Sequence, residues 1–204
     1  MNTQLRPRRA ARAATLALVA AVALAGCTAT DPLAEQYREG TGQGYISGDG
    51  AYTLFAPEER AAPIEFEGEI ETGETVSSDD YRGDVLVVNF WYAGCPPCRL
   101  EAPDLEALAQ QFADEGVSFL GVNIYDQAPT ALSFAKEFGV TYPSILDVND
   151  GQVRLAFAGQ VAPTAVPTTL VLDREGRVAA RIAGLVSEPS VLRSMIADTL
   201  AEEP

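Results

Sequence analysis

Residues 85–90 read VLVVNF and residues 117–124 read VSFLGVNI, two continuous apolar runs too short to be buried helices. Such runs suit strands covered on both faces, which occur where helices pack on each side of a sheet. Between them, residues 96–113 carry Leu105, Leu108 and Phe112 at helical spacing. Strand, helix and strand in that order predict a βαβ unit. Downstream, residues 130–138 read as a helix ended by Gly139. Residues 168–172 and 178–182 form a hairpin around Asp173-Arg174-Glu175-Gly176, and residues 189–200 a closing helix. Upstream, residues 64–71 and 74–76 flank Thr72-Gly73 as a small hairpin. The fold class expected is α/β, with a mixed central sheet flanked by helices and an N-terminal hairpin.

The first 26 residues read as an export signal. Arg6, Arg8, Arg9 and Arg12 precede a 14-residue apolar run that ends in small residues. That run falls short of the roughly 20 residues needed to cross a bilayer, which favours a secretory signal over a retained helix. Its end, Leu24-Ala25-Gly26-Cys27, resembles the bacterial lipobox, which implies cleavage before Cys27 and a diacylglycerol on that cysteine. An ordinary signal with a nearby cysteine is the alternative. Arg8-Arg9 raises a twin-arginine route, but Ala-Ala-Arg follows the pair, a poor match. Gly40, Gly42, Gly44, Gly48 and Gly50 then crowd into an aperiodic stretch. The organisation expected is signal peptide 1–26, lipid-anchored flexible linker 27–63 and folded domain 64–204. The protein is placed outside the cytoplasm, anchored to the cell membrane.

Charge and composition narrow the function. Removing the leader leaves ten basic residues against 29 acidic ones, a net charge of −19. So negative a chain will not track a phosphate backbone, and nucleic acid is excluded as a partner. Histidine is absent. That excludes Ser-His-Asp and Cys-His catalysis and nearly all catalytic zinc sites, and leaves carboxylates, thiols and water to move protons.

Three cysteines carry the remaining chemistry. Cys95-Pro96-Pro97-Cys98 sits where strand VLVVNF has ended and a helix begins. Unpaired N–H groups and the positive end of the helix dipole stabilise a thiolate there, lowering a cysteine pKa from about 8.5 into the range of roughly 3.5–7.5. Cys95 is then a nucleophile near neutral pH, and Cys98, one turn on, can resolve the mixed disulfide it forms. Pro96 and Pro97 suit the first turn. A structural disulfide is the alternative, but so short a loop gains little stability from closure. A zinc site would need two further ligands, and neither spare cysteines nor histidines exist. No metal and no bound cofactor are expected; the dithiol itself is the redox group.

Asn89-Phe90-Trp91-Tyr92-Ala93-Gly94-Cys95-Pro96-Pro97-Cys98-Arg99 and the continuation Leu100-Glu101-Ala102-Pro103 resemble the active-site segment of the TlpA/ResA-like extracytoplasmic thiol:disulfide oxidoreductases, a branch of the thioredoxin superfamily. Val166-Pro167-Thr168-Thr169, followed by Leu172-Asp173-Arg174-Glu175-Gly176-Arg177, resembles that branch's second motif. The resemblance covers roughly residues 64–202. It implies a thioredoxin-like fold with an inserted βα element in residues 119–146. It makes Cys95 the attacking thiolate and Cys98 the resolving thiol. It implies a cis peptide bond before Pro167, with Val166 and Pro167 against the sulfurs. It makes Glu101 the acidic group that tunes the cysteines, an exposed helical glutamate being the alternative. Trp91 is expected beside the site, or simply in the core, and Arg99 is expected to be a surface cation.

Two departures stand out. Gly94 replaces the tryptophan many members carry before the first cysteine, which implies a less bulky rim. Asn89 replaces the buried aspartate of cytoplasmic thioredoxins, which shifts proton transfer to Glu101 or water; Glu101 is the one acidic group the sequence places there. The resemblance implies a protein-disulfide reductase acting on protein thiols and disulfides, apocytochrome c among them, fed by a CcdA/DsbD-like membrane electron donor. A disulfide oxidant and a non-catalytic partner-binding lipoprotein are the alternatives. A copper chaperone lacks its histidine here, and CPPC is not a peroxidase motif.

Overall fold

A computed structural model describes residues 51–162 and 164–202. The expected signal peptide, the expected lipidation site at Cys27 and residues 27–50 of the expected linker lie outside the described residues. Eight strands and four α-helices follow one another in these residues: β1 Ala51–Leu54, β2 Glu67–Glu69, β3 Thr75–Ser77, β4 Val85–Trp91, α1 Pro96–Phe112, β5 Val117–Asn123, α2 Ala128–Phe138, β6 Ser144–Leu146, α3 Gln152–Ala156, β7 Thr168–Leu172, β8 Val178–Ala183 and α4 Pro189–Leu200. The main sheet runs β1-β8-β7-β4-β5-β6, and β2 and β3 pair as a separate hairpin. β4 lies parallel to β5 and antiparallel to β7, so the sheet is mixed and β4 is its centre. Every residue of β4 is buried, as its unbroken apolar run requires.

Side chains alternate along a strand, and β4 divides the core accordingly. Val85 and Val87 pack with Leu105, Leu108 and Phe112 of α1 and Leu192, Met195 and Ile196 of α4. Leu86, Val88 and Phe90 pack on the other face with Phe66, Phe134 of α2, Val153 and Phe157. Residues 119–146 supply most of β5, all of α2 and β6, and α2 ends at Gly139, as the spacing indicates.

The expected start of the domain at residue 64 is corrected. β1 pairs along its whole length with β8, from Ala51↔Ala183 to Leu54↔Ala180. Arg60, whose side chain is 2% exposed, reaches Asp173 at 2.9 Å and Glu202 at 2.5 Å. Burial works to raise the Asp173 pKa, but hydrogen bonds from the Arg177 backbone, Arg60 and the Arg177 side chain outweigh it and hold the carboxyl below its usual range. Residues 51–63 belong to the folded unit: an edge strand and a buried ion-pair cluster anchor them.

Candidate active site

The central strand delivers its C-terminal end to one edge of the sheet, where the sequence places Cys95. β4 ends at Trp91, and the chain turns through Tyr92–Cys95, closed by the Cys95 N–H donating to the Tyr92 carbonyl at 3.1 Å. Cys95 is the N-cap of α1, and its sulfur accepts from the Cys98 N–H at 3.2 Å. Pro96 and Pro97, the first two helical residues, have no N–H to leave unpaired. The two cysteines form a disulfide. Cys95 is 0% exposed and Cys98 2%, so the oxidised pair is covered by its surroundings.

The second motif arrives from β7. Phe90↔Thr168 pairing puts Pro167 next to the end of β4, at the same edge as the cysteines. The Val166–Pro167 bond is cis. Val166 is buried in the same apolar cluster as Cys95 and Cys98. The Pro167 carbonyl accepts from the Gly184 N–H at 2.9 Å, tying this loop to the end of β8.

Glu101 is the buried carboxyl of the site. It is 1% exposed, on α1 one turn after Cys98. Asn89 Nδ2 donates to Oε1 at 2.8 Å, and the Val186 N–H to Oε2 at 2.9 Å. Burial pushes its pKa up to about 7, against the opposing pull of those two hydrogen bonds. The exposed alternative is thereby excluded. Asn89 faces α1 because it follows Val85 and Val87 at a spacing of two, and it also donates to Thr169 Oγ1 at 3.1 Å. An aspartate at position 89 would put a second carboxylate against Glu101, so the change from acid to amide follows from who occupies the pocket.

Trp91 is both core and site. Its ring centroid lies 4.3 Å from that of Phe134, and its Nε1–H donates to Ser144 Oγ at 3.2 Å. With Cys98 and Asn89 it lines one cleft.

Sequence reasoning missed the groups that hold the loop before Cys95. Asp126 Oδ2 accepts from the Ala93 N–H at 2.6 Å and from Asn123 Nδ2 at 3.0 Å. Asn123 Oδ1 in turn accepts from the N–H groups of Tyr125 and Asp126. On the other side, Arg99 donates to the Ala93 carbonyl at 3.3 Å, pairs with Glu137 at 2.7 Å and lies over the Phe138 ring. Arg99 is therefore more than a surface cation: with Asp126 it holds the backbone of Ala93 from both sides, one at its N–H and the other at its carbonyl. The Asn-x-x-Asp spacing after β5 was the available signal, being an Asx turn at a strand end. At Gly94, a Cβ would lie 3.1 Å from the Tyr92 ring. That ring is buried and sits 5.6 Å from that of exposed Tyr125.

Among the described residues no group of three or more His, Cys, Asp or Glu side chains is placed to hold a metal ion. Chemically, the arrangement is a dithiol/disulfide at a helix N-terminus, with a desolvated carboxyl behind it.

The chain is similar to known proteins in sequence and in fold. The chain is 34% identical over 116 residues to the thiol-disulfide oxidoreductase ResA of Geobacillus kaustophilus, covering 57% of this chain and 64% of that protein. It is 35% identical over 113 residues to the thiol:disulfide interchange protein HelX of Rhodobacter capsulatus, covering 55% and 60%. The match thus spans less than two thirds of either relative. Among solved structures, a DsbF homologue from Corynebacterium diphtheriae superposes with a TM-score of 0.63 at 31% identity, over 76% of this chain and 98% of that one. A thioredoxin-family thiol:disulfide interchange protein from Chlorobium tepidum gives 0.64 at 28%, over 72% and 100%. The fold is thioredoxin-like. The Redoxin family model matches residues 57–196, so the chain belongs to the Redoxin family.

Proposed function

We propose that this protein is an extracytoplasmic thiol:disulfide oxidoreductase, anchored through a lipid on Cys27, that reduces disulfides in protein substrates with its Cys95–Cys98 dithiol as the only redox group. The observation that carries this reading is the burial of Glu101 behind a disulfide at a helix N-terminus. Cys95 attacks the substrate disulfide as a thiolate, stabilised by the first-turn N–H groups and the helix dipole. A mixed disulfide forms and one substrate thiol leaves. Cys98 then attacks Cys95 Sγ, releasing the second substrate thiol and closing the Cys95–Cys98 disulfide. An ionised Glu101 near Cys98 opposes a second negative charge and keeps that thiol protonated until resolution. Destabilising the thiolate disfavours the reduced form, and so makes the pair a stronger reductant. Pro167 keeps the adjacent backbone free to pair with a substrate strand, its own carbonyl being taken by the Gly184 N–H. The similarity to ResA and HelX supports protein thiols as substrates, with apocytochrome c cysteines one candidate class and a CcdA/DsbD-like membrane protein the electron donor.

The test is the reduction potential of the Cys95–Cys98 pair against glutathione and dithiothreitol buffers. A reductant lies well below the poise of an oxidising compartment, nearer the roughly −270 mV of thioredoxin than the roughly −120 mV of a strong oxidant. A value at the oxidising end would reverse the proposed direction.

A further inference from the structure

Resolution requires Cys98 to lose a proton, and the fold limits where that proton can go. Glu101 is the nearest acid on the helix, but both its oxygens already accept N–H donors. The Asn89 amide that donates to it also donates to Thr169 Oγ1. An amide with its N–H groups so committed does not pass a proton onward.

Cys98 also borders a cleft whose polar lining is Glu71, Asn89, Trp91, Tyr142 and Ser144. Glu71 is half-buried, beyond the end of β2. An Ile70–Ile145 bridge, the Glu71 N–H to the Ser144 carbonyl at 3.2 Å, and the Ser144 N–H to Glu71 Oε2 at 2.7 Å fix it there. Its second oxygen is not used in that pairing. Gly121 makes room for the Trp91–Ser144 hydrogen bond on this wall: a Cβ there would lie 2.1 Å from Ser144 Oγ and 2.7 Å from Trp91 Nε1. Burial, with the charges of Glu101 and Glu106, raises the Tyr142 phenol, so it stays neutral and able to hydrogen-bond water. The cleft is narrow and more apolar than polar, with room for about one water beside these polar groups.

We propose that water in this cleft takes the Cys98 proton during resolution and hands it to Glu71, which releases it to solvent. The inference rests on the exchange reading above. The bonds balance as follows: the Cys98 sulfur bonds to Cys95 Sγ, the Cys95–substrate S–S bond breaks, its electron pair leaves with the substrate sulfur, and the proton from Cys98 exits through the cleft.

The test follows resolution alone. Methyl methanethiosulfonate converts the reduced protein to a Cys95 methyl disulfide, and rapid acid quench with mass spectrometry times loss of the methylthio group as Cys98 attacks. Glu71→Gln keeps an acceptor for the Ser144 N–H and removes the base. It should form the adduct at the wild-type rate and resolve it about tenfold more slowly, below the roughly 10²–10⁴ of a directly contacting base because a water intervenes. Added imidazole should accelerate the variant and leave the wild type unmoved. Ala135→Met, which narrows the cleft from α2 without touching an acid, should also slow resolution, and imidazole should not restore it. Wild-type resolution rates in both variants, or a slow Glu71→Gln that imidazole cannot rescue, overturn the proton route while leaving the exchange reading intact. A wild-type protein that forms the adduct and never resolves it overturns both.

Discussion

Replacing Glu101 by glutamine should change how stability depends on pH, with a size the structure sets. Burial moves the carboxyl from its ordinary 4.5 to about 7 in the folded protein. At about 1.4 kcal/mol per pH unit, that difference corresponds to about 3 kcal/mol. The sign follows from proton counts. Between pH 4.5 and 7 the folded chain holds a proton at Glu101 that the unfolded chain has released. The stabilisation is therefore full below about 4.5, declines as pH rises, and is gone above 7. Glutamine does not titrate. It also turns an amide N–H toward either the Asn89 or the Val186 donor, costing about 1–3 kcal/mol, but that penalty is the same at every pH. The stability of the wild type relative to Glu101→Gln should thus fall by about 3 kcal/mol from pH 4 to pH 8, most steeply between 5 and 7. Urea unfolding of both oxidised proteins across that range measures it, and keeping the disulfide closed removes cysteine titration from the comparison. Asp173 titrates below this window and is present in both. Parallel stability curves, with a gap constant to within about 0.5 kcal/mol, would refute the claim that Glu101 is a desolvated acid.

Three other perturbations test separate parts of the account. Asp126→Ala leaves the Ala93 N–H without its carboxylate and should cost about 1.5–3 kcal/mol, with faster hydrogen exchange at Ala93 than in the wild type; unchanged exchange would remove Asp126 from the positioning of the loop. Arg60→Met strips Asp173 and Glu202 of a shared partner and should lower stability by about 3 kcal/mol, since Arg177 still holds Asp173; a change below about 0.5 kcal/mol would return residues 51–63 to the status of a linker. Cys27→Ala should shift the protein from the membrane fraction to the soluble one and abolish fatty-acid labelling, whereas persistent attachment would mean the leader itself anchors it.

The central sheet was legible because its strands are local apolar runs: residues 85–90 and 117–124 correspond to β4 and β5, and the Asp173–Gly176 turn separates β7 from β8. CPPC was legible for the same reason, its position after a strand fixing the helix N-terminus. β1 was not legible. It is four residues long, half exposed, preceded by glycines, and held by a strand about 130 positions later. β6 and α3, of three and five residues, fall below what periodicity can register. The i, i+3 spacing put Glu101 and Cys98 on one side of α1 but could not say what covers that side. The partners that bury Glu101, Asn89 on β4 and the backbone N–H of Val186 after β8, converge only in three dimensions, and a backbone donor leaves no mark in the sequence. The same holds for Glu71, which reaches the Cys98 cleft because its hairpin bridges to β6.

The assignment of Cys95 as attacking sulfur and Cys98 as resolving sulfur is tested most directly by trapping. Cys98→Ser and Cys95→Ser, each incubated with a disulfide-bonded protein substrate and run on non-reducing gels, separate the two roles. Cys98→Ser should accumulate a mixed disulfide through Cys95 that dithiothreitol releases, and Cys95→Ser should accumulate none. Adducts on both variants, or on neither, would contradict the account.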